Sequence, residues 1–254
     1  MSNTWKNLVP VEIGKWAGTG DAITLDLACV KSVLIGGESG SGKSCLIRHI
    51  LATLTREHTP EEVRFLIADP KIVEYSDYED SPYLLRPVVT DAEHMAETFD
   101  RLFAEYERRF NLFGKYGCRN IVTFNEAVCA GTIPEEKLPN IVFVIDEFAD
   151  FLIQDFKGFE TSIVRLAALS RAYGIFLVLS TQHANPKCVT ELIKSNLNAR
   201  IAFRTGTAKA SKTILGQSGA EFLREREFLY SPDATTPENP PVIKLRAPEL
   251  TEES

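Results

Sequence analysis

Apolar residues occur along this chain in two kinds of run. Five runs are short and nearly unbroken: "SVLIGG" at 32–37, "VRFLIADPK" at 63–71, "NIVFVI" at 140–145, "IFLVLSTQ" at 175–182 and "ARIAFRT" at 199–205. Val, Ile and Leu without polar alternation predict strands buried on both faces, as in a parallel sheet covered by helices. Between these runs the apolar residues recur every three or four positions. Leu46, Ile47, Ile50, Leu51 and Leu54 form one helical face, and Met95, Phe99, Leu102, Tyr106, Phe110 and Phe113 form a longer one. The longer stripe reads as core packing rather than a platform for stacking bases. Thr90 to Glu93 spells T-x-x-E and predicts a capping box that opens this helix, with Gly117 closing it. "RNIVTFNEAV" (119–128) predicts a shorter helix, and "FETSIVRLAALSRAYG" (159–174) an amphipathic one stopped by Gly174.

The remaining segments are punctuated differently. Residues 1–30 alternate in short apolar runs around Gly18, Gly20 and Asp21, which predicts a β-hairpin. A proline-rich loop at 231–241, a final strand "VIKL" at 242–245 and an acidic end complete the chain. The expected architecture is α/β: a mostly parallel twisted sheet with helices on both faces. The expected division is a β segment at 1–30, a main domain at 31–246 and an acidic tail at 247–254.

Composition adds exclusions. With 254 residues, 44% hydrophobic and 25% charged, the chain suits one large α/β domain. No apolar run reaches the ~18 residues of a membrane span, and the N-terminus lacks the blocks of a signal peptide. The five cysteines stand singly, which argues against a zinc site or disulfide framework and for a cytoplasmic protein. The net charge of −7 is the wrong sign for a surface that coats nucleic acid, so any such contact must be local.

The chemistry starts at the end of the first buried strand. Gly37-Glu38-Ser39-Gly40-Ser41-Gly42-Lys43-Ser44 matches G-x-x-x-x-G-K-S between a predicted strand and a predicted helix. The glycines let backbone N–H groups curl around a β-phosphate, and the helix that follows presents its positive end. Gly37 to Cys45 thus predict a binding segment for ATP, with Lys43 on the β- and γ-phosphates and Ser44 on Mg²⁺. Asp146 at the end of an apolar strand is placed to hold Mg²⁺ through its water shell. Glu147 beside it is expected to polarise the attacking water, which points to hydrolysis rather than transfer to another substrate. Gln182, at the end of the neighbouring strand, is expected beside the γ-phosphate. The charge that develops there calls for an arginine. Arg171 is the first choice, with Arg200, Arg165 and Arg204 as alternatives. Arg171 could equally complement a helix C-terminus.

"GESGSGKS", "VRFLIADPKIVEYSDYEDSPYLL", "VVTD", "ERRFNLFGKYGCRNIVTFN", "VFVIDEFADF", "RAYGIFLVLSTQ" and "LIKSNLNARIAF" occur in that order, followed by "SKTILGQSGAEFL" and "FLYSP". Together, over roughly residues 8–246, they resemble the motor domains of FtsK/SpoIIIE DNA translocases, on the HerA/FtsK branch. The resemblance implies a RecA-like P-loop ATPase that assembles as a homo-oligomer, a hexameric ring with double-stranded DNA in its pore. It also implies that Arg171 reaches the next subunit's site, and that Asp69 and Lys71 of the D-P-K segment lie near the nucleotide or the subunit interface. The family's pore-facing positions fall here on "HANPK" and "GTAKASK", making His183, Lys187, Lys209 and Lys212 the DNA-contact candidates. His183 stands where the family usually has arginine. The short ends lead us to expect a minimal stand-alone motor, of the kind a mobile element or phage would carry, with possible element-encoded partners. Two alternatives share the motifs: a protein-export ATPase resembling those of type VII secretion, and an ATP-binding accessory module for DNA transfer or replication.

Overall fold

The computed structural model describes residues 7–72, 74–169, 171–233 and 242–248, with the side chain of Arg171 excepted. The proline-rich loop from 234 to 241 and the acidic tail from 249 onward lie outside the described residues.

The chain begins with a hairpin, β1 (Val11–Trp16) and β2 (Ala22–Leu25), and a short helix α1 (Leu27–Val30). The α/β body follows: β3 (Ser32–Gly36), α2 (Lys43–Glu57), β4 (Val63–Ala68), α3 (Ala92–Tyr116), α4 (Ile121–Cys129) and β5 (Asn140–Ile145). Next come α5 (Phe148–Gln154), α6 (Phe156–Leu169), a 3-10 turn (Arg171–Tyr173), β6 (Ile175–Thr181), α7 (Glu191–Asn196), β7 (Ala199–Phe203) and α8 (Ala208–Leu215). Strands β8 (Glu227–Ser231) and β9 (Ile243–Arg246) end the described chain.

The nine strands among the described residues share one sheet, in the order β2-β1-β9-β8-β7-β3-β6-β5-β4. The strands from β7 to β4 run parallel, and the others add antiparallel. Every residue of β3, β5, β6 and β7 is buried, as unbroken apolar runs require. Alternate side chains serve opposite faces. Val33 and Ile35 pack with α2 and the hairpin, while Leu34 packs with the residues of α3, α5, α6 and α8. The free side of β4 is covered by bridges from Leu84 and Val89 to Phe65 and Ala68. Among the described residues no helix is long and apolar enough to cross a membrane.

Several boundaries differ from expectation for local reasons. The cap of α3 is Asp91, whose carboxylate accepts from His94 N–H at 2.9 Å, rather than the Thr90–Glu93 box. A charged acceptor that also bonds the His94 ring at 2.6 Å out-competes a hydroxyl one residue earlier. Gly117 closes α3 in the left-handed region, as expected. Phe110 is 54% exposed, because at 3.6 residues per turn it lies about 60° off the line that joins the buried Met95 and Phe113. The helix expected at 159–174 ends at Leu169, and the 3-10 turn carries the chain to Gly174 at φ 70°. The second strand stops at Ala68, not Lys71, because Asp69 bends the next residues into a turn.

Candidate functional site

The functional residues gather at the C-terminal edge of the parallel strands, where α/β sheets bind ligands. The loop from β3 to α2 depends on glycine: Gly37, Gly40 and Gly42 have φ of 153°, 69° and 112°. A Cβ on Gly37 would lie 2.7 Å from Phe203 Cβ, so the loop sits directly on β7. Two neighbours fix it through the backbone. Gly37 N–H donates to Thr181 O at 3.3 Å, and Glu38 N–H to Arg204 O at 2.9 Å. A cavity of about 350 Å³ is lined by residues 40–45 together with Glu74, Glu225, Arg226, Ala247 and Pro248. Cys45 is exposed at its mouth. The volume suits a nucleotide-sized ligand.

Lys43 Nζ donates to the loop's own carbonyls, Gly37 O at 2.7 Å and Glu38 O at 2.8 Å. Burial holds its ammonium below the ordinary lysine range, partly offset by the Glu147 and Asp146 carboxylates nearby. Asp146 is buried and accepts from Glu147 N–H at 3.0 Å and from the Tyr75 hydroxyl at 3.4 Å. Burial, with Asp146 and Asp69 close by, pushes the Tyr75 hydroxyl well above the ordinary phenol range, so it stays a donor. The half-buried Ser44 hydroxyl makes no hydrogen bond among the described residues. A carboxylate and an unspent hydroxyl are the hard oxygen donors that suit Mg²⁺.

Glu147 occupies the left-handed region, at φ 43° and ψ 51°. A non-glycine residue there is held against its preference. The holding groups are visible. Glu147 Oε1 accepts from the Thr181 hydroxyl at 2.7 Å, and its two oxygens share the Gln182 N–H at 3.3 and 3.1 Å. Lys71 Nζ lies 3.5 Å from Oε2. The Asp69 carboxylate braces that lysine's turn, accepting from Lys71 N–H at 2.9 Å and Glu74 N–H at 3.1 Å. Ile72, a β-branched residue at φ 56°, marks the turn as strained.

The expected residues are therefore only partly brought together. Lys43, Ser44, Asp146 and Glu147 converge. Gln182 meets Glu147 through its backbone N–H rather than its carboxamide. The Arg171–Tyr173 turn precedes β6 and lies at the opposite edge, about 20 Å from the phosphate loop at ~3.3 Å per strand residue. Arg200 is buried, with Nη2 on Lys194 O at 2.7 Å, and Arg165 lies over the Phe103 ring at 4.2 Å. Arg204, just after β7, lies 3.5 Å from Glu38 of the phosphate loop in its own subunit. His183, Lys187, Lys209 and Lys212 are all exposed. The His183 ring comes close to the site: its ligating nitrogen and carboxylate oxygens of Glu147 and Asp150 lie within 4.8 Å of one another. Sequence reasoning missed Thr181 and Tyr75. For Thr181 a signal existed, a hydroxyl one position before Gln182 at a strand end. For Tyr75 there was none.

The FtsK/SpoIIIE family model matches residues 2–186. The chain belongs to the FtsK/SpoIIIE family. It is 40% identical over 223 residues to the DNA translocase FtsK of Treponema pallidum, covering 87% of this chain and 28% of that protein. It is 38% identical over 239 residues to the DNA translocase FtsK of Leptospira interrogans, covering 92% and 25%. The chain thus spans about a quarter of the length of these FtsK proteins. Among solved structures it is similar to the pCW3 conjugation coupling protein TcpA, with TM-score 0.80 and 27% identity over 95% of this chain and 66% of that one. It also resembles the cytoplasmic domain of the Thermomonospora curvata type VII secretion ATPase EccC, with TM-score 0.80 and 25% identity over 98% and 30%. Within the FtsK/SpoIIIE family the sheet described above is the RecA-like P-loop fold, here with its parallel core extended by an antiparallel flank.

Proposed function

We propose that this chain is an ATP-hydrolysing motor that works as a ring, a hexamer by family resemblance, and drives double-stranded DNA through its pore. The observation that carries this reading is the separation of two half-sites. The phosphate loop and Glu147 lie at one edge of the sheet, and the Arg171 turn lies at the other, beyond reach within one subunit. A shared site between neighbours accounts for both.

Ser44 and Asp146 would hold Mg²⁺, which when bound neutralises charge on the phosphate oxygens. Lys43 leaves its own loop's carbonyls for the β- and γ-phosphates. Glu147 orients and deprotonates the attacking water. Arg171 from the neighbour stabilises the charge of the transition state. Exposed His183, Lys187, Lys209 and Lys212 meet phosphates in the pore, where lysine supplies charge without reading a base. An acidic chain with these few basic contacts grips DNA locally.

The test is the ATPase rate with and without long double-stranded DNA at low salt. The motor reading expects strong stimulation that fades as salt rises. Equal rates, with no salt-dependent binding, sink it. The similarity to EccC favours one other reading, export of a polypeptide, and the same result would turn attention there.

A further inference from the structure

Thr181 stands where three segments of the site meet. Its carbonyl accepts from Gly37 N–H at 3.3 Å, at the first residue of the phosphate loop. Its hydroxyl donates to Glu147 Oε1 at 2.7 Å and accepts from His183 N–H at 2.9 Å. The side chain is fully buried. A hydroxyl has one proton, and His183 N–H is already a donor to it, so that proton belongs to the bond with Glu147. Bonds in such a series strengthen one another and fail together.

The segment that follows is braced as a unit. Asn185 N–H donates to His183 O at 2.8 Å, and the Asn185 side-chain oxygen accepts from Lys187 N–H at 2.9 Å and Cys188 N–H at 3.2 Å. The Asn185 carbonyl accepts from Val189 N–H at 2.9 Å. A force applied to exposed His183 or Lys187 is therefore not absorbed within this turn. It passes to the base of the turn, where His183 N–H and Gln182 N–H hold Thr181 and Glu147.

We propose that Thr181 is a positioning residue that couples DNA on the 183–187 turn to the catalytic carboxylate. This rests on the motor reading above. In the arrangement seen, Glu147 is occupied by the Thr181 hydroxyl, the Gln182 N–H and the nearby Lys71. A pull on the turn lengthens the His183–Thr181 bond, turns the hydroxyl away and frees one carboxylate oxygen for water. The Thr181 carbonyl carries the same movement to Gly37, so the phosphate loop and the base respond together.

The experiment compares wild type with Thr181→Val and Thr181→Ser. Three quantities are measured: ATPase rate with and without long duplex DNA, DNA affinity, and nucleotide affinity followed by protection of Cys45 from alkylation. For Thr181→Val we expect the ratio of stimulated to basal rate to fall to about one, with DNA still bound, and Thr181→Ser to restore it. General damage to the site lowers both rates in proportion and leaves the ratio intact; that result, or a wild-type ratio in Thr181→Val, overturns the proposal. A second pair removes any dependence on how the buried position tolerates valine. His183→Pro deletes the N–H that bonds Thr181, whereas His183→Ala keeps it. At saturating DNA, coupling lost in the first and kept in the second supports the link; coupling lost equally in both overturns it. If wild type is not stimulated by DNA, the motor reading fails and the coupling with it. If wild type is stimulated and Thr181→Val equally so, only the coupling fails.

Discussion

The two edges of the parallel sheet are built on opposite terms. At the C-terminal edge two non-glycine residues, Ile72 and Glu147, are held at positive φ beside Gly37, Gly40 and Gly42, which adopt it freely. Four charged side chains, Lys43, Asp69, Asp146 and Glu147, are buried there. At the N-terminal edge, among the described residues, Lys31 alone of the non-glycines has positive φ, and a buried arginine clamps two of the strand entries. Arg109, 1% exposed, donates to Tyr173 O at 2.6 Å, Pro139 O at 2.9 Å and Glu105 Oε1 at 2.6 Å. The first edge must hold a carboxylate to within a fraction of an ångström, and it spends backbone strain and desolvation to do so. On the shared-site reading proposed above, the second must only keep the Arg171 turn firm enough to present to a neighbour. Helix α3 joins them, with its first turn near the end of β4 and Arg109 near the start of β5 and β6. On that reading, two halves of one active site are built to different standards, each half needing the other subunit's partner.

The sharpest way to break this comparison acts on the first edge. Glu147→Gln keeps the shape and removes the base. Hydrolysis should fall by about 10²–10⁴-fold while nucleotide binding persists. Mixing Glu147→Gln with Arg171→Ala subunits should restore part of the rate, because some interfaces then combine an intact base with an intact arginine. If mixing restores nothing while each variant alone is inactive, the edges do not belong to one shared site.

The first edge was largely legible in the sequence and the second was not. "IGGESGSGKS" and "VIDEF" announce themselves because a local backbone requirement and a local charge interrupt apolar runs. The same locality explains the strands β3, β5, β6 and β7, which are buried on both faces. Strand β8 escaped notice. It opens among charges in "REREFLYS", lies in the antiparallel flank and alternates in burial, so no unbroken run marks it. Helix α5 was hidden because it begins directly after the Asp146–Glu147 pair, where "DEFADF" continues an apolar strand without punctuation. Arg109 reads as one more charge in "ERRF". Its burial follows only from the approach of Tyr173 and Pro139, 64 and 30 residues away. Thr181 is similar: its value lies in a contact with Glu147, 34 residues distant.

The second edge offers a smaller effect. Arg109→Ala removes three hydrogen bonds from a buried guanidinium, although Glu105 keeps Arg108 at 2.7 and 2.8 Å. The loss should be about 3 kcal/mol in urea unfolding, near the low end for breaking a buried pair, because Glu105 is not left alone. The functional signature separates the edges. Subunits carrying Arg109→Ala should still bind nucleotide and should still rescue Glu147→Gln partners, to which they supply an intact base; they should fail to rescue Arg171→Ala partners, since a well-placed arginine turn is what those partners need. Rescue of Arg171→Ala by Arg109→Ala to the level that wild type gives would mean that the clamp does not position the Arg171 turn.

The mildest perturbation acts at the start of α3, on the pair Asp91–His94. Hydrogen bonds from the His94 backbone and ring hold the Asp91 carboxyl below the ordinary range, and the Asp91 bond raises the His94 imidazole. The signs differ for the two groups. The Asp91 contribution is present above the unfolded carboxylate value and is lost as pH falls through the lowered folded value. The His94 contribution is complete below the unfolded imidazole value and is lost as pH rises through the raised folded value. The stabilisation by the charged pair should therefore be greatest between about pH 4 and 6.5 and shrink on either side. The difference in Tm between wild type and His94→Ala, followed across pH, measures it. Because both groups are exposed, the difference should be small and weakened by salt. A difference that does not change with pH would mean that the ring contributes packing alone. A pH-dependent loss of rescue of Arg171→Ala partners would show that the first turn of α3 and the Arg109 clamp move together, and that the two edges are less independent than their construction implies.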